Sequence, residues 1–318
     1  MVCSRSSLQP ASVTARFPAV NDHPRPLALI LNPAASGGAS EGVLVRAESA
    51  LRRHGAPYRV VRSQSPGHLA DSARAAGGSG ELPVAVGGDG TLACMVRAMR
   101  GLDVTIGLIP AGRGNDFARV TGVPTDPEAA VEVLLRGEDR DFDLGEANGE
   151  IFLGIASFGF DSEANRIANE ARLFKGSLVY VYAALRALLG WVPARFTVSR
   201  PSAEERSFTG WSVAIANSKA YGGGMFIAPD ADLQDGLLDV VTIAGTRKLR
   251  FASALPKLFK GTHVEDRDID VVRTDRVTVS ADRAFDVYAD GDLLTSLPVE
   301  ARVLRSALTM RMPREQKP

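Results

Sequence analysis

Three glycine-bearing turns each follow an apolar run in the front half of the chain: NPAASGG (residues 32–38), GGDGT (87–91) and PAGRGNDF (110–117). The runs before them, LALIL, LPVAV and VTIGLI, are continuously apolar rather than alternating. A strand that is apolar on both faces needs cover on both. That is the pattern of a parallel sheet between layers of helices. The intervening segments supply the helices. EGVLVRAESALRRHG (41–55) places Val43, Ala47, Ala50 and Leu51 on one face and stops at Gly55. YRVVRS (58–63) reads as a short strand, PGHLADSARAA (66–76) as a helix opened by Pro and Gly, and TLACMVRAMR (91–100) as the helix after the second turn.

Ligands of open parallel sheets bind beyond the carboxyl ends of the strands, where these turns collect. Glycine lets backbone N–H groups approach a phosphate with no Cβ in the way. A helix starting just after GGDG adds the positive end of its dipole. Asp89 would repel a bare phosphate, but its carboxylate fits if Mg2+ stands between them. The turns therefore predict a site for a magnesium-bound polyphosphate. No GxxxxGK[ST] or GxGxxG pattern occurs, which argues against a P-loop NTPase or an ordinary dinucleotide dehydrogenase.

The back half has a different texture. IFLGIASFGF, RFTVSR, WSVAIANS, LLDVVTIA, RVTVSA and AFDVYADGDLL are rich in β-branched and aromatic residues and are separated by turn residues. They predict an antiparallel β-sandwich. Two helices are expected within it, over 163–189 with a break near Gly176, and over 247–259.

Composition narrows the function classes. Lys+Arg and Asp+Glu both number 37, so the net charge is zero and no global attraction to nucleic acid is expected. Cys3 and Cys94 form neither a disulfide framework nor metal-ligand spacing, which suits a reducing cytosol. Residues 1–26 are Ser-, Pro- and Ala-rich, lack the apolar core of an export signal, and read as a disordered tail. SLVYVYAALRALLGWV (177–192) is interrupted by Arg186 and falls short of the ~20 apolar residues of a membrane span. It reads as a buried or interfacial helix. TRKLRFASALPKLFKG (246–261) is basic and amphipathic, a pattern shared by membrane-surface helices and by ordinary helices packed on a core.

GGDGTL, IPAGRGNDFAR (109–119), YGGGMFIAPDADLQDGLLDV (221–240) and YADGD (288–292), in this order, resemble the soluble diacylglycerol kinase and sphingosine kinase family. The resemblance covers about residue 27 to Met312. It implies an α/β nucleotide-binding domain like that of phosphofructokinase (27–143, joined by a returning strand over 301–312). A β-sandwich lipid-acceptor domain (144–300) follows, with ATP in the cleft between the two. It places Asn32, Pro33, Ser36 and Gly37 in a first phosphate-side loop and Ser63 at the nucleotide. Gly87, Gly88, Asp89, Gly90, Thr91 and Leu92 would cradle the phosphates, with Arg113, Asn115 and Asp116 closing the third loop. Asp89, Asp116 and Asp143 match a magnesium network. Asp232, Asp235 and the carbonyl of Leu237 match a structural metal site. Asp290 matches the general base, and Asp292 stands beside it where the family has Glu.

The implied activity is transfer of the γ-phosphate of ATP, with Mg2+, to a lipid hydroxyl, diacylglycerol first. The implied setting is the cytoplasm, with transient docking at the inner membrane face and a sandwich face that permits a homodimer. Two departures bear on the nucleotide. Ala93 stands where the family has Asn, and Arg113 where it has Thr; Arg113 is open to two readings, a phosphate ligand or an obstruction. A kinase of a soluble acceptor such as NAD, and a nucleotide- or lipid-binding regulator without turnover, are the alternatives.

Overall fold

The computed structural model describes residues 25–33, 39–170, 178–201, 203–245 and 247–314. The front of the chain runs β1 (Leu27–Leu31), α1 (Ala39–Arg53), β2 (Tyr58–Arg62), α2 (Pro66–Gly78), β3 (Leu82–Gly87), α3 (Asp89–Ala98) and β4 (Thr105–Pro110). Then come α4 (Asp116–Thr121), α5 (Pro127–Arg136), β5 (Glu138–Ala147) and β6 (Glu150–Phe152). β1, β2, β3 and β4 are parallel, in the order β2-β1-β3-β4.

Alternation along the buried strands sorts their side chains between two helix layers. Leu27, Leu29 and Leu31 of β1 pack with Leu44 and Leu51 of α1 and Val131 of α5. Ala28 and Ile30 pack with Leu69 and Ala73 of α2 and Leu92 and Met95 of α3. The caps follow local chemistry. The Ser65 side chain accepts from His68 N ahead of Pro66, and Asp126 accepts from Glu128 N and Ala129 N ahead of Pro127. α3 begins two residues before the sequence expectation, because Gly88 serves as its N-cap and puts Asp89 in its first turn.

The back of the chain runs β7 (Ile155–Gly159), α6 (Phe160–Glu170), α7 (Leu178–Gly190), β8 (Ala194–Ser199), β9 (Arg206–Ala216) and β10 (Leu238–Ala244). It continues with α8 (Lys248–Leu258), β11 (Ile269–Thr274), β12 (Arg276–Ala281), β13 (Asp286–Ala289), β14 (Asp292–Ser296) and β15 (Val299–Met312). These strands pair antiparallel among themselves. One core holds Phe152, Phe158, Phe196 and Val213 between strands. A second, on the other face, holds Phe160, Trp191, Trp211 and Phe251 beneath the helices.

β15 ties the halves together. Its start pairs antiparallel with β12, and its end pairs parallel with β4 at Thr309 and Met310. Between them the register slips beside Ser306, whose φ is 47°. This bulge bends one strand from the sandwich into the parallel sheet.

The helix expected over 163–189 is two helices, α6 and α7, and the break near Gly176 lies outside the described residues. The tail at 1–24, Ser36, Gly37 and Thr246 also lie outside them. The apolar face of α8 turns inward: Phe251 stacks on Trp211 with centroids 4.1 Å apart and planes 8° apart. Arg250 and Lys257 of α8 pair with Asp266. The sandwich therefore takes most of that helix's apolar face, and two of its cations are already paired. Among the described residues no helix is long and apolar enough to cross a membrane.

Candidate active site

The ends of β3 and β4 converge because both turns lack side chains. A Cβ on Gly88 would lie 2.8 Å from the Gly112 Cα, so the two backbones touch. Gly112 is fixed by Asn115, whose Oδ1 accepts from Gly112 N at 2.8 Å and whose Nδ2 donates to Gly112 O at 3.0 Å. Asn115 sits at φ 50°, a left-handed conformation that Asn tolerates.

The acids then form a relay of backbone contacts. Asp89 accepts from Asp116 N at 3.1 Å and Phe117 N at 3.0 Å, capping α4 from another helix. Asp116 Oδ2 accepts from Gly223 N at 2.8 Å, which reaches into the back half of the chain. Gly222, Gly223 and Gly224 all have positive φ, so YGGG is a turn that side-chain-bearing residues disfavour. Asp116 Oδ1 is buried, with no hydrogen-bond partner among the described residues and the Arg119 Nε 3.9 Å away. Burial pushes the Asp116 carboxyl above the ordinary range; the Gly223 N–H works against this, and the nearby Asp89 charge adds to it. A buried carboxylate oxygen that accepts no hydrogen bond, beside a second carboxylate, is a fit for a divalent cation. Among the described residues no group of three His, Cys, Asp or Glu side chains gathers, so phosphate or water oxygens would complete the shell.

Across an open cleft of about 900 Å3 stands the β13–β14 hairpin. Asp290 and Gly291 form its turn, with φ of 55° and 91°. Asp290 Oδ2 accepts from Leu153 N and Oδ1 from Gly154 N, both at 2.9 Å. Burial raises its pKa, while the two N–H groups and the Arg97 charge pull it down. Its side chain is 5% exposed, against 64% for Asp292.

The structure brings Asn32, Ser63, Gly88, Asp89, Gly90, Thr91 and Arg113 to the cleft, with Asp116, Asp290 and Asp292 opposite or beside them. Arg113 is exposed at the cleft wall. Other expected residues do not reach the lining. Leu92 is fully buried in the core between the sheet, α2 and α3, because the helix turns it away from the cleft. Gly87 lies beneath Thr91, Asn115 points to Gly112, and Pro33 lies outside the lining. Asp143 is buried, and its oxygens accept from Gly236 N at 2.7 Å and Ser306 N at 2.8 Å. It holds the bulge of β15 rather than facing the cleft. Asp232 and Asp235 are exposed, and each accepts from the backbone of its own turn, at Gln234 N and Leu237 N.

Sequence reasoning missed Gly112, Leu153, Gly154 and Arg97. Only Arg97 had a local signal, as the first charge after the apolar run LACMV (92–96).

Near the Tyr221 end of the cleft, Asp161 is buried beside Tyr221 and Ser212, and its Oδ2 has no hydrogen-bond partner among the described residues. Burial raises its pKa to about 6. The native state therefore favours the protonated form, and its stability falls as pH rises through about 6. Asp161→Asn should raise the urea midpoint at pH 8 and leave it nearly unchanged at pH 4. Equal effects at both pH values would mean that the carboxyl is not titrating there.

Comparisons with known proteins show the family of the chain. A family model for the diacylglycerol kinase catalytic domain matches residues 26–147. A second, for the YegS C-terminal NAD kinase beta sandwich-like domain, matches residues 154–312. The chain is 36% identical over 234 residues to a diacylglycerol kinase of Mycobacterium tuberculosis, covering 72% of this chain and 75% of that protein. It is 32% identical over 236 residues to a Pseudomonas aeruginosa protein named a probable lipid kinase YegS-like, covering 72% and 76%. A solved diacylglycerol kinase structure from Bacillus anthracis shares the fold, with TM-score 0.70 at 18% identity over 92% of this chain and 98% of that one.

Proposed function

The chain belongs to the diacylglycerol kinase family of lipid kinases, and we propose that it transfers the γ-phosphate of ATP, as the magnesium complex, to the hydroxyl of diacylglycerol. The observation that carries this reading is the opposition, across one cleft, of a glycine cradle and a carboxylate hairpin. In this reading residues 27–143 with the returning strand over 301–312 hold the nucleotide, and 144–300 hold the acceptor.

In this reading the backbone N–H groups of Gly88 and Gly90 would meet the phosphates, with the N-terminus of α3 behind them. Asn32 and Ser63 line the same wall, and Arg113 offers a guanidinium to phosphate oxygens. Asp89 and Asp116 would hold Mg2+, which when bound neutralises phosphate charge. Asp290 accepts the proton of the acceptor hydroxyl as its oxygen bonds to phosphorus and the bond to the β-phosphate oxygen breaks, releasing ADP. A second reading gives that proton to Asp292, favoured by its exposure. Docking of the lipid is assigned to a transient contact with the inner membrane face.

The test is metal dependence of transfer. With γ-labelled ATP and diacylglycerol in mixed micelles, label should enter the lipid with Mg2+ and cease with excess EDTA. Undiminished transfer in EDTA would contradict the assignment of Asp89 and Asp116.

A further inference from the structure

We propose that Arg97 is a positioning residue of the transfer step: from the far end of the helix that opens the phosphate cradle, its guanidinium holds the Asp290–Asp292 turn in register with the transferring phosphate. This rests on the kinase reading of the cleft.

α3 carries both ends of the arrangement. Its first turn holds Asp89 and its last turn holds Arg97. Eight residues at 1.5 Å per residue separate them by about 12 Å along one rigid rod. The guanidinium then serves three acceptors. Nε donates to the Ile151 carbonyl at 2.9 Å, Nη2 lies 3.5 Å from Asp290 Oδ2, and Nη1 lies 3.6 Å from Asp292 Oδ2. β6 and both ends of the hairpin turn thus register against a single planar fork. A lysine keeps the charge but lacks that geometry.

The electrostatics run the same way. The groups facing Asp290 are Arg97 and Asp89 from α3, Asp292 from β14, and the Leu153 and Gly154 N–H groups. Burial, and to a smaller extent Asp89, push its carboxyl up, and the N–H groups and Arg97 oppose them. Without Arg97 the carboxyl holds its proton to higher pH and is a poorer acceptor near neutrality. An inert strut between the halves of the chain predicts something else: lower stability, with the pH profile unmoved.

The experiment compares wild type, Arg97→Lys and Arg97→Gln in kcat, KM for ATP, KM for lipid, the pH dependence of kcat, and thermal midpoint. In Arg97→Gln, kcat should fall about 10–100-fold, the scale of an ångström-sized misplacement. KM for ATP should stay at its wild-type value, and the acidic limb of the profile should move to higher pH. Arg97→Lys should lose kcat but keep the limb in place. An unmoved limb in Arg97→Gln, a loss confined to KM, or full activity would each overturn the proposal. If Arg97→Gln does not fold, Arg97→Lys decides: reduced kcat at a wild-type thermal midpoint supports the positioning role, and unchanged kcat overturns it. Titration of the Asp290 carboxyl by 13C NMR reads the same shift without turnover. A wild type that transfers no phosphate would therefore sink the kinase reading, while an unmoved Asp290 titration would separately sink the role of Arg97.

Discussion

Asp290→Asn lowers phosphoryl transfer by about 10²–10⁴-fold, the range of a lost general base, while ATP binding survives. The substitution keeps shape but removes the proton acceptor. It also sets an amide NH2 against one of the two backbone N–H groups that the carboxylate now accepts, from Leu153 and Gly154. Leaving such a donor unpaired costs about 1–3 kcal/mol, so the thermal midpoint should fall as well. Asp292→Asn separates the two effects, because that side chain is 64% exposed. If Asp290 is the acceptor, Asp292→Asn keeps most activity and all the stability. If Asp292→Asn loses transfer at an unchanged thermal midpoint, the proton goes to Asp292, and Asp290 serves to build the turn.

Gly112→Ala abolishes ATP binding and lowers stability by about 1–3 kcal/mol, the usual scale of overpacking. The new Cβ would collide with the Gly88 backbone and lie 2.7 Å from Asn115 Oδ1. Backbone cannot rotate aside as a flexible side chain does, so the β3 and β4 turns must part, and the phosphate cradle opens with them. Gly42→Ala in α1 is the control. Nothing among the described residues lies within 4 Å of its Cβ, and in a helix it should add about 0.5–1 kcal/mol. Calorimetric titration with ATP and urea denaturation read both outcomes. Wild-type ATP affinity in Gly112→Ala would mean that the close approach of the turns does not shape the site.

The division into a parallel α/β half and an antiparallel half was legible because each half has its own hydrophobic period. β1 and β3 are apolar at every position, and the structure uses both of their faces. The cradle was legible because glycine after an apolar strand has few other uses. What sequence could not show is contact at long separation. Gly88 and Gly112 are ordinary turn glycines until their backbones meet. Arg97 and Asp290 are 193 residues apart, and no local pattern pairs them. Asp143 lies in an acidic run, but its burial follows from the Gly236 and Ser306 N–H groups, both far along the chain. Leu92 adjoins the glycine turn in sequence, yet helical periodicity turns it into the core. α4 has six residues, too short for a hydrophobic period to reveal.

The central claim is that this cleft phosphorylates a lipid hydroxyl, and competition between acceptors tests it most directly. The enzyme would be given γ-labelled ATP and Mg2+, with diacylglycerol in mixed micelles and NAD in the surrounding buffer of the same tube. The predicted result is label in the lipid alone, lost on boiling the enzyme. Label in NAD would move the reaction to a soluble acceptor, and label in neither, with ATP still bound, would contradict phosphoryl transfer to either acceptor.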